Sequence, residues 1–147
     1  MPQSSCLCGA NVISFGPPEL KFKCHCKNER KLTGAAFSLN YIVSTDNLKI
    51  VKGDLQTWGF TVDSGNFMAN HCCGQCGSLL YRASSGFPGK VAIKVGCIDD
   101  DDVVNDYVPE VEIFTRSRAP WVAPIEGAAQ NWSDFGSGEG PSDSKSA

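Results

Sequence analysis

Two short cysteine turns decide the fold: CLCG at residues 6–9 and CGQCG at residues 73–77. Each turn carries two thiols and ends in glycine, which suits a backbone forced to positive φ. Four thiolates from two such turns complete the tetrahedral shell of a structural zinc ion and leave no position for a substrate. The predicted structural zinc ligands are Cys6, Cys8, Cys73 and Cys76. A disulfide pair or unconnected buried cysteines are the alternatives.

The number of cysteines and the absence of targeting signals bear on the redox compartment. The chain has 147 residues, a length that fits one domain, and eight of them are cysteine. We find no secretory-type N-terminus and no apolar stretch near the roughly 18–20 residues that span a bilayer. We therefore expect a cytoplasmic protein without a membrane segment, in which cysteines bind metal rather than form disulfides.

The charge balance restricts the partners. The formal net charge is -3, so the chain has no positive field with which to collect phosphates. We therefore expect a small-molecule substrate and no nucleic-acid partner.

Short apolar runs between turn-forming residues predict a mainly β fold. The predicted strands lie within residues 11–15, 19–23, 41–43, 48–51, 66–70, 79–81 and 91–95. Two short helix signals occur at residues 28–32 and 99–105. Apolar content falls from residue 125, and the last twelve residues are nearly all small or polar. These patterns predict one domain at residues 1–125 and a C-terminal extension at 126–147, disordered from about residue 136.

A second cysteine motif, CHCKNE at residues 24–29, places two thiols and a carboxylate in one short turn. Three protein ligands with one open position are the composition of a catalytic zinc site. The predicted ligands of a catalytic zinc are Cys24, Cys26 and Glu29. The neighbouring Arg30 is a candidate for binding a substrate carboxylate through its guanidinium fork, with a solvated charged turn as the alternative.

Together these motifs resemble the glutathione-dependent formaldehyde-activating enzyme and centromere protein V family. The segments similar to family motifs are residues 6–9, 24–34, 73–77 and 96–99, in the family's order. The resemblance covers about residues 4–122. It implies a β-tent zinc-binding fold of short antiparallel sheets with one or two short helices. It also implies a structural zinc on the first and third motifs and a catalytic zinc on the three cysteines of the second.

Two positions depart from the family pattern. Glu29 stands where the third cysteine is expected, and Glu112 stands where the family usually has histidine. Glu29 is expected to be catalytic, either as a zinc ligand or as a general base beside the metal. The resemblance implies a carbon–sulfur lyase-like enzyme that uses zinc, with glutathione as a possible co-substrate. The departures favour a carbonyl compound or its glutathione adduct, such as a specialised metabolite, over formaldehyde itself.

Other cysteines and the histidines keep alternative interpretations. If Glu29 marks the loss of the second metal, the protein is a non-catalytic zinc scaffold. Cys72 or Cys97 could replace the missing ligand, although such cysteines are more often small buried hydrophobes. His25 and His71 are expected to form hydrogen bonds or line a pocket rather than bind metal.

Overall fold

The computed structural model describes residues 1–140, which contain eleven strands and two α-helices. The strands are β1 (Gln3–Ser5), β2 (Val12–Ser14), β3 (Leu20–Cys24), β4 (Ser38–Ser44), β5 (Lys49–Lys52), β6 (Gln56–Thr61), β7 (Phe67–Cys72), β8 (Leu79–Ser84), β9 (Lys90–Lys94), β10 (Val111–Ile113) and β11 (Ala129–Gln130). The helices are α1 (Lys27–Thr33) and α2 (Asp101–Asn105). The predicted mainly β fold with two short helices is confirmed.

The chain divides into two compact units. Unit 1 comprises Met1–Leu20 and Tyr41–Tyr107, and unit 2 comprises Lys21–Asn40 with the described residues from Val108 onward. The predicted division into a domain at 1–125 and an extension at 126–147 is based on composition, whereas the two units are defined by contacts between residues. The predicted division therefore stays a prediction. No helix within residues 1–140 has the length and apolar character needed to cross a bilayer.

Unit 1 contains a three-stranded antiparallel sheet and a β-meander. The small sheet has the order β1-β2-β5, while β6, β7, β8 and β9 pair in sequence, and residues 41–44 of β4 belong to the same unit. Burial differs between these strands: all four residues of β5 are exposed, whereas β8 buries three consecutive residues, 80–82. Ile13, Leu80 and Ile93 are fully buried. This unit carries the cysteine turns at residues 6–9 and 73–77.

Unit 2 contains β3, β10 and β11 together with residues 38–40 of β4, the strand next to β3. Both β3 and β11 run parallel to β10, in addition to the antiparallel pairings that the sequence predicts. The register aligns Glu112 with Lys23 on one side and with Gln130 on the other. Aligned residues of neighbouring strands share a face of the sheet, and the next residue faces the other way. Cys24 therefore lies on the face opposite Lys23.

The segment after residue 125 contributes to unit 2. Ala129 and Gln130 form β11, and the Trp132 N–H donates to the Gly138 carbonyl at 2.7 Å. The tail predicted to be disordered begins at about residue 136; its residues 136–140 are described, and residues 141–147 lie outside the described residues.

Candidate metal and substrate sites

The four-cysteine cluster (Cys6, Cys8, Cys73, Cys76) lies in unit 1, and its four sulfur atoms lie within 4.8 Å of one another. Cys8 Sγ is 3.6 Å from Cys6 Sγ and 3.7 Å from Cys73 Sγ. A zinc tetrathiolate with Zn–S near 2.3 Å has sulfur–sulfur edges of about 3.8 Å. The structure joins none of the eight cysteines in a disulfide. The geometry and the soft donor set both fit a closed metal site.

Local backbone geometry explains why each turn presents two thiols. Gly9 and Gly77 adopt φ values of 76° and 79°, as the glycine at the end of each motif predicts. The N–H of Gly77 donates to the Cys73 carbonyl and closes the second turn at 2.9 Å. Backbone N–H groups also point at the sulfurs, and the Cys76 N–H donates to Cys73 Sγ at 3.4 Å. Such donors stabilise negative charge on the sulfurs.

Ser78 supports the cluster, although its role was not predicted. Its hydroxyl lies 3.2 Å from Cys76 Sγ and accepts from the Leu7 N–H at 3.0 Å. The serine therefore joins the two cysteine turns. The position of Ser78 directly after CGQCG is the only sequence feature that could have indicated this role.

The thiols of the cluster differ in acidity. Hydrogen bonds from the Ser78 side chain and backbone lower the pKa of Cys76 to about 5. The Ala10 backbone N–H favours the Cys8 thiolate, but burial and the neighbouring thiols outweigh it and raise the pKa of Cys8 to about 11. Four adjacent thiolates repel one another unless a cation neutralises them. A bound metal ion would therefore displace protons, chiefly from Cys8.

The second cysteine motif is in unit 2, at the junction of β3 and α1. Cys26 is the N-cap of α1, where its Sγ accepts from the Glu29 N–H at 3.3 Å. A hydrogen bond with the Cys26 thiol, together with burial, raises the pKa of Cys24 well above its ordinary value, and the Glu29 carboxylate adds to this effect. The two thiols are thus in direct contact beside a carboxylate.

The three predicted ligands of a second metal are close but do not converge. Within residues 1–140, Cys24, Cys26 and Glu29 do not form a group whose ligand atoms all lie within 4.8 Å of one another. The Glu29 residue is 4% exposed. The two thiols fit a soft metal ion. Because the ligand atoms of the three residues do not all lie this close together, Glu29 suits a role beside the metal better than that of a third ligand. The assignment of these residues to a catalytic zinc stays a prediction.

Arg30 makes a contact within unit 2, since its Nη1 donates to the Ser117 carbonyl at 3.4 Å. One of its five guanidinium N–H groups is thereby engaged. Its predicted role in substrate binding is not tested by this contact.

A buried polar cluster surrounds Glu112 and was not predicted. This Glu112 cluster consists of Lys23, His25, Glu112, Arg118 and Gln130. Glu112 Oε1 lies 2.7 Å from His25 Nε2, while Oε2 accepts from the Gln130 side chain and the Ile125 N–H, both at 2.7 Å. Burial alone would raise the pKa of Glu112, but the hydrogen bonds from Gln130 and His25 hold it at about 2. Glu112 is therefore an anion at neutral pH.

The carboxylate also fixes the state of His25. Burial lowers the pKa of His25, so its ring is neutral at neutral pH. Because a carboxylate only accepts hydrogen bonds, Nε2 carries the proton and Nδ1 is an acceptor. The expectation that His25 forms hydrogen bonds fits this geometry. The position of His25 between two cysteines does not indicate that Glu112 is its hydrogen-bond partner.

Cys72 and Cys97 join no second metal group within residues 1–140. Both are half-buried, and the Cys97 thiol donates to the Leu79 carbonyl at 3.4 Å. His71 stacks on Tyr81 with ring centres 4.2 Å apart, and its Nδ1 lies 3.1 Å from the Thr57 hydroxyl. These contacts give packing and hydrogen-bonding roles.

Comparisons with known proteins agree with the motifs. Residues 1–117 match the model of the family described as glutathione-dependent formaldehyde-activating enzyme. A crystal structure of a Rhodobacter sphaeroides protein is similar in fold, with a TM-score of 0.56 and 18% sequence identity. The similarity covers 73% of this chain and 97% of that chain. No curated protein matches the sequence significantly. The resemblance deduced from the motifs is confirmed, and the chain belongs to the glutathione-dependent formaldehyde-activating enzyme family.

Proposed function

We propose that the protein is a zinc-dependent, carbon–sulfur lyase-like enzyme that acts on a carbonyl compound or its glutathione adduct. The substrate is a carbonyl compound other than formaldehyde, with specialised metabolites as candidates. Family membership over residues 1–117 supports glutathione-linked carbonyl chemistry. The observation that carries the proposal is the hydrogen bond between the Cys24 and Cys26 thiols beside the buried Glu29.

The two metal sites have different roles in this proposal. The four-cysteine cluster holds structural zinc, since its four sulfurs saturate a tetrahedral ion. The second motif holds the catalytic zinc through Cys24 and Cys26, with Glu29 as a third ligand or as a neighbouring base. Zinc bound there would supply a Lewis acid that polarises the carbonyl oxygen. A site with two thiolates is less electron-rich than one with three, which suits activation of oxygen.

Glu29 is assigned the proton transfer. When the carbon–sulfur bond forms, the thiol loses its proton to the Glu29 carboxylate, and the protonated Glu29 then gives that proton to the carbonyl oxygen. In the reverse direction, the oxygen loses its proton as the carbon–sulfur bond breaks and the sulfur is protonated. A positioned carboxylate typically contributes about 10²–10⁴-fold to such a step.

The test compares the metal-loaded protein with Glu29→Gln, using Glu126→Gln at an exposed position as the matched control. Adducts of glutathione with formaldehyde and with larger aldehydes are followed by NMR, and metal content is measured by mass spectrometry. We expect two zinc ions per wild-type chain and a fall in kcat of about 10²-fold or more in Glu29→Gln. Retention of both ions by that variant would identify Glu29 as a base, and loss of one as a ligand. Unchanged turnover in Glu29→Gln would refute the assignment, and so would unchanged adduct turnover in Glu29→Cys.

A second candidate is a non-catalytic zinc scaffold. The failure of Cys24, Cys26 and Glu29 to converge favours it. One zinc ion per chain in both wild type and Glu29→Gln, with no turnover of any adduct, would establish this alternative.

A further inference from the structure

The Glu112 cluster contains more basic than acidic side chains. Lys23 and Arg118 are its basic residues, and Glu112 carries the one carboxylate among the cluster's five residues. The side chains of Lys23, Arg118 and Glu112 are 5%, 18% and 0% exposed. A basic side chain at this depth is stabilised by an anion beside it. The cluster therefore places two buried basic side chains around a single carboxylate.

The hydrogen-bonding capacity of Glu112 is used by other groups. Oε2 accepts from the Ile125 N–H and the Gln130 amide, while Oε1 lies 2.7 Å from His25 Nε2. The cations stand farther away, with Arg118 Nη2 at 3.4 Å and Lys23 Nζ at 3.8 Å from Oε1. Glu112 thus compensates their charge without occupying all of their donors.

Two groups of the cluster have unused capacity. Arg118 Nε is a buried donor without a partner, and His25 Nδ1 is a buried acceptor without one. Lys23 Nζ lies 3.8 Å from Glu112 Oε1, beyond hydrogen-bond distance, and 4.0 Å from the centre of the Phe37 ring. Buried polar groups in folded proteins nearly always have partners, so groups that lack them are candidates for contacting a ligand.

We propose that Lys23 and Arg118, arranged about Glu112, form a binding site for the carboxylate of a small molecule. Both cations lie within 4 Å of the same Glu112 oxygen, so one carboxylate can reach both. Its oxygens accept hydrogen bonds from Lys23 Nζ and Arg118 Nε. Arg118 is the more exposed of the two cations and marks the side from which the carboxylate enters.

The site adjoins the second cysteine motif, since Lys23 precedes Cys24 in the chain and His25 follows it. Lys23 and Glu112 share a face of the sheet, and Cys24 lies on the opposite face. The inference rests on the proposed function in one respect, because it narrows the substrate class to carbonyl compounds or adducts that carry a carboxylate. The carboxylate could belong to the carbonyl compound or to glutathione.

The experiment measures binding without turnover. Acetate, acetamide and glutathione are titrated into the metal-loaded protein at constant ionic strength, and the thermal midpoint is followed. We expect acetate to raise the midpoint in a saturable manner, and acetamide, its neutral analogue, to leave it unchanged. Arg118→Met and Lys23→Met should each weaken acetate binding about tenfold, the loss expected for one charge-assisted hydrogen bond. The exposed Arg116→Met and Lys27→Met are the matched controls and should bind acetate like wild type.

Titration of acetate with and without glutathione distinguishes the two sources of the carboxylate. If it belongs to glutathione, saturating glutathione prevents the effect of acetate; if it belongs to the carbonyl compound, the two ligands bind together. The absence of any response to both probes, or equal binding in Arg118→Met and wild type, overturns the proposal. If Lys23→Met does not fold because Lys23 is deeply buried, the acetate affinity of Arg118→Met alone tests the proposal. Turnover without acetate binding counts against this site alone, whereas acetate binding without turnover counts against the proposed function alone.

Discussion

Replacing Glu112 with glutamine tests the buried cluster through its pH dependence. The folded-state pKa of Glu112 is about 2, compared with an ordinary value of 4.5. A carboxyl with a depressed pKa stabilises the fold above its unfolded pKa and loses that contribution as pH falls towards its folded pKa. The full difference corresponds to about 3 kcal/mol, and screening near the partly exposed Arg118 reduces it to about 2 kcal/mol.

The amide that Glu112→Gln introduces adds a second cost, which does not depend on pH. Its NH₂ group must face a donor, because His25, Gln130 and the Ile125 N–H all direct hydrogens at the carboxylate. A mismatched buried donor costs about 1–3 kcal/mol. We therefore expect Glu112→Gln to lower the free energy of unfolding by about 3–5 kcal/mol at pH 7.

Urea unfolding at a series of pH values provides the measurement. The difference between wild type and Glu112→Gln should shrink by about 2 kcal/mol as pH falls from 5 towards 2. Metal loss in acid affects both proteins, so it cancels in the difference. The control Glu126→Gln, at an exposed position, should stay within about 0.5 kcal/mol of wild type. A difference that stays constant over this pH range would refute the electrostatic role of Glu112.

Three further predictions concern the cysteine turns. Cys73→Ser should lose the structural metal ion and lower the thermal midpoint, whereas Cys72→Ser should keep the full metal content by mass spectrometry. Gly77→Ala should cost about 1–2 kcal/mol in urea unfolding, because its φ of 79° is unfavourable for a side chain. Gly96→Ala, where a Cβ meets nothing within 4 Å and φ is not positive, should change stability little. In the metal-free protein at pH 7, iodoacetamide should modify Cys76 before Cys8, because their pKa values are about 5 and about 11. Peptide mass spectrometry would show the order of modification. The reverse order would contradict this difference in acidity.

The sequence was most informative where one short motif sets both backbone and chemistry. Each cysteine turn carries its ligands and its glycine within a few residues, so the four-cysteine cluster could be predicted from local information. Strands with strong apolar character, such as β8 and β9, were predicted for the same reason. α1 was also anticipated, although its N-cap is Cys26, a residue that seldom occupies this position.

The predictions were incomplete where structure depends on distant residues. β6 was not predicted, because Gly59 and mostly exposed side chains give it no alternating pattern, and its pairing with β7 depends on a partner strand that local sequence does not indicate. β10 and β11 have three and two residues, too few for a periodic signal. The burial of Glu112 depends on donors far away in the chain, including His25 and Gln130. No pattern around residue 112 could indicate them.

The long sequence separation within the four-cysteine cluster has a consequence for synthesis. Cys8 and Cys73 are 65 residues apart, and closing a loop of that length costs about 4 kcal/mol of chain entropy. On the ribosome, Cys6 and Cys8 emerge first and remain a pair of thiols without their partners until residue 76 has left the exit tunnel. During that interval they are exposed to oxidants and to competing metal ions. Zinc supply and a reducing environment therefore affect the yield of folded protein during translation, before any effect on the finished fold.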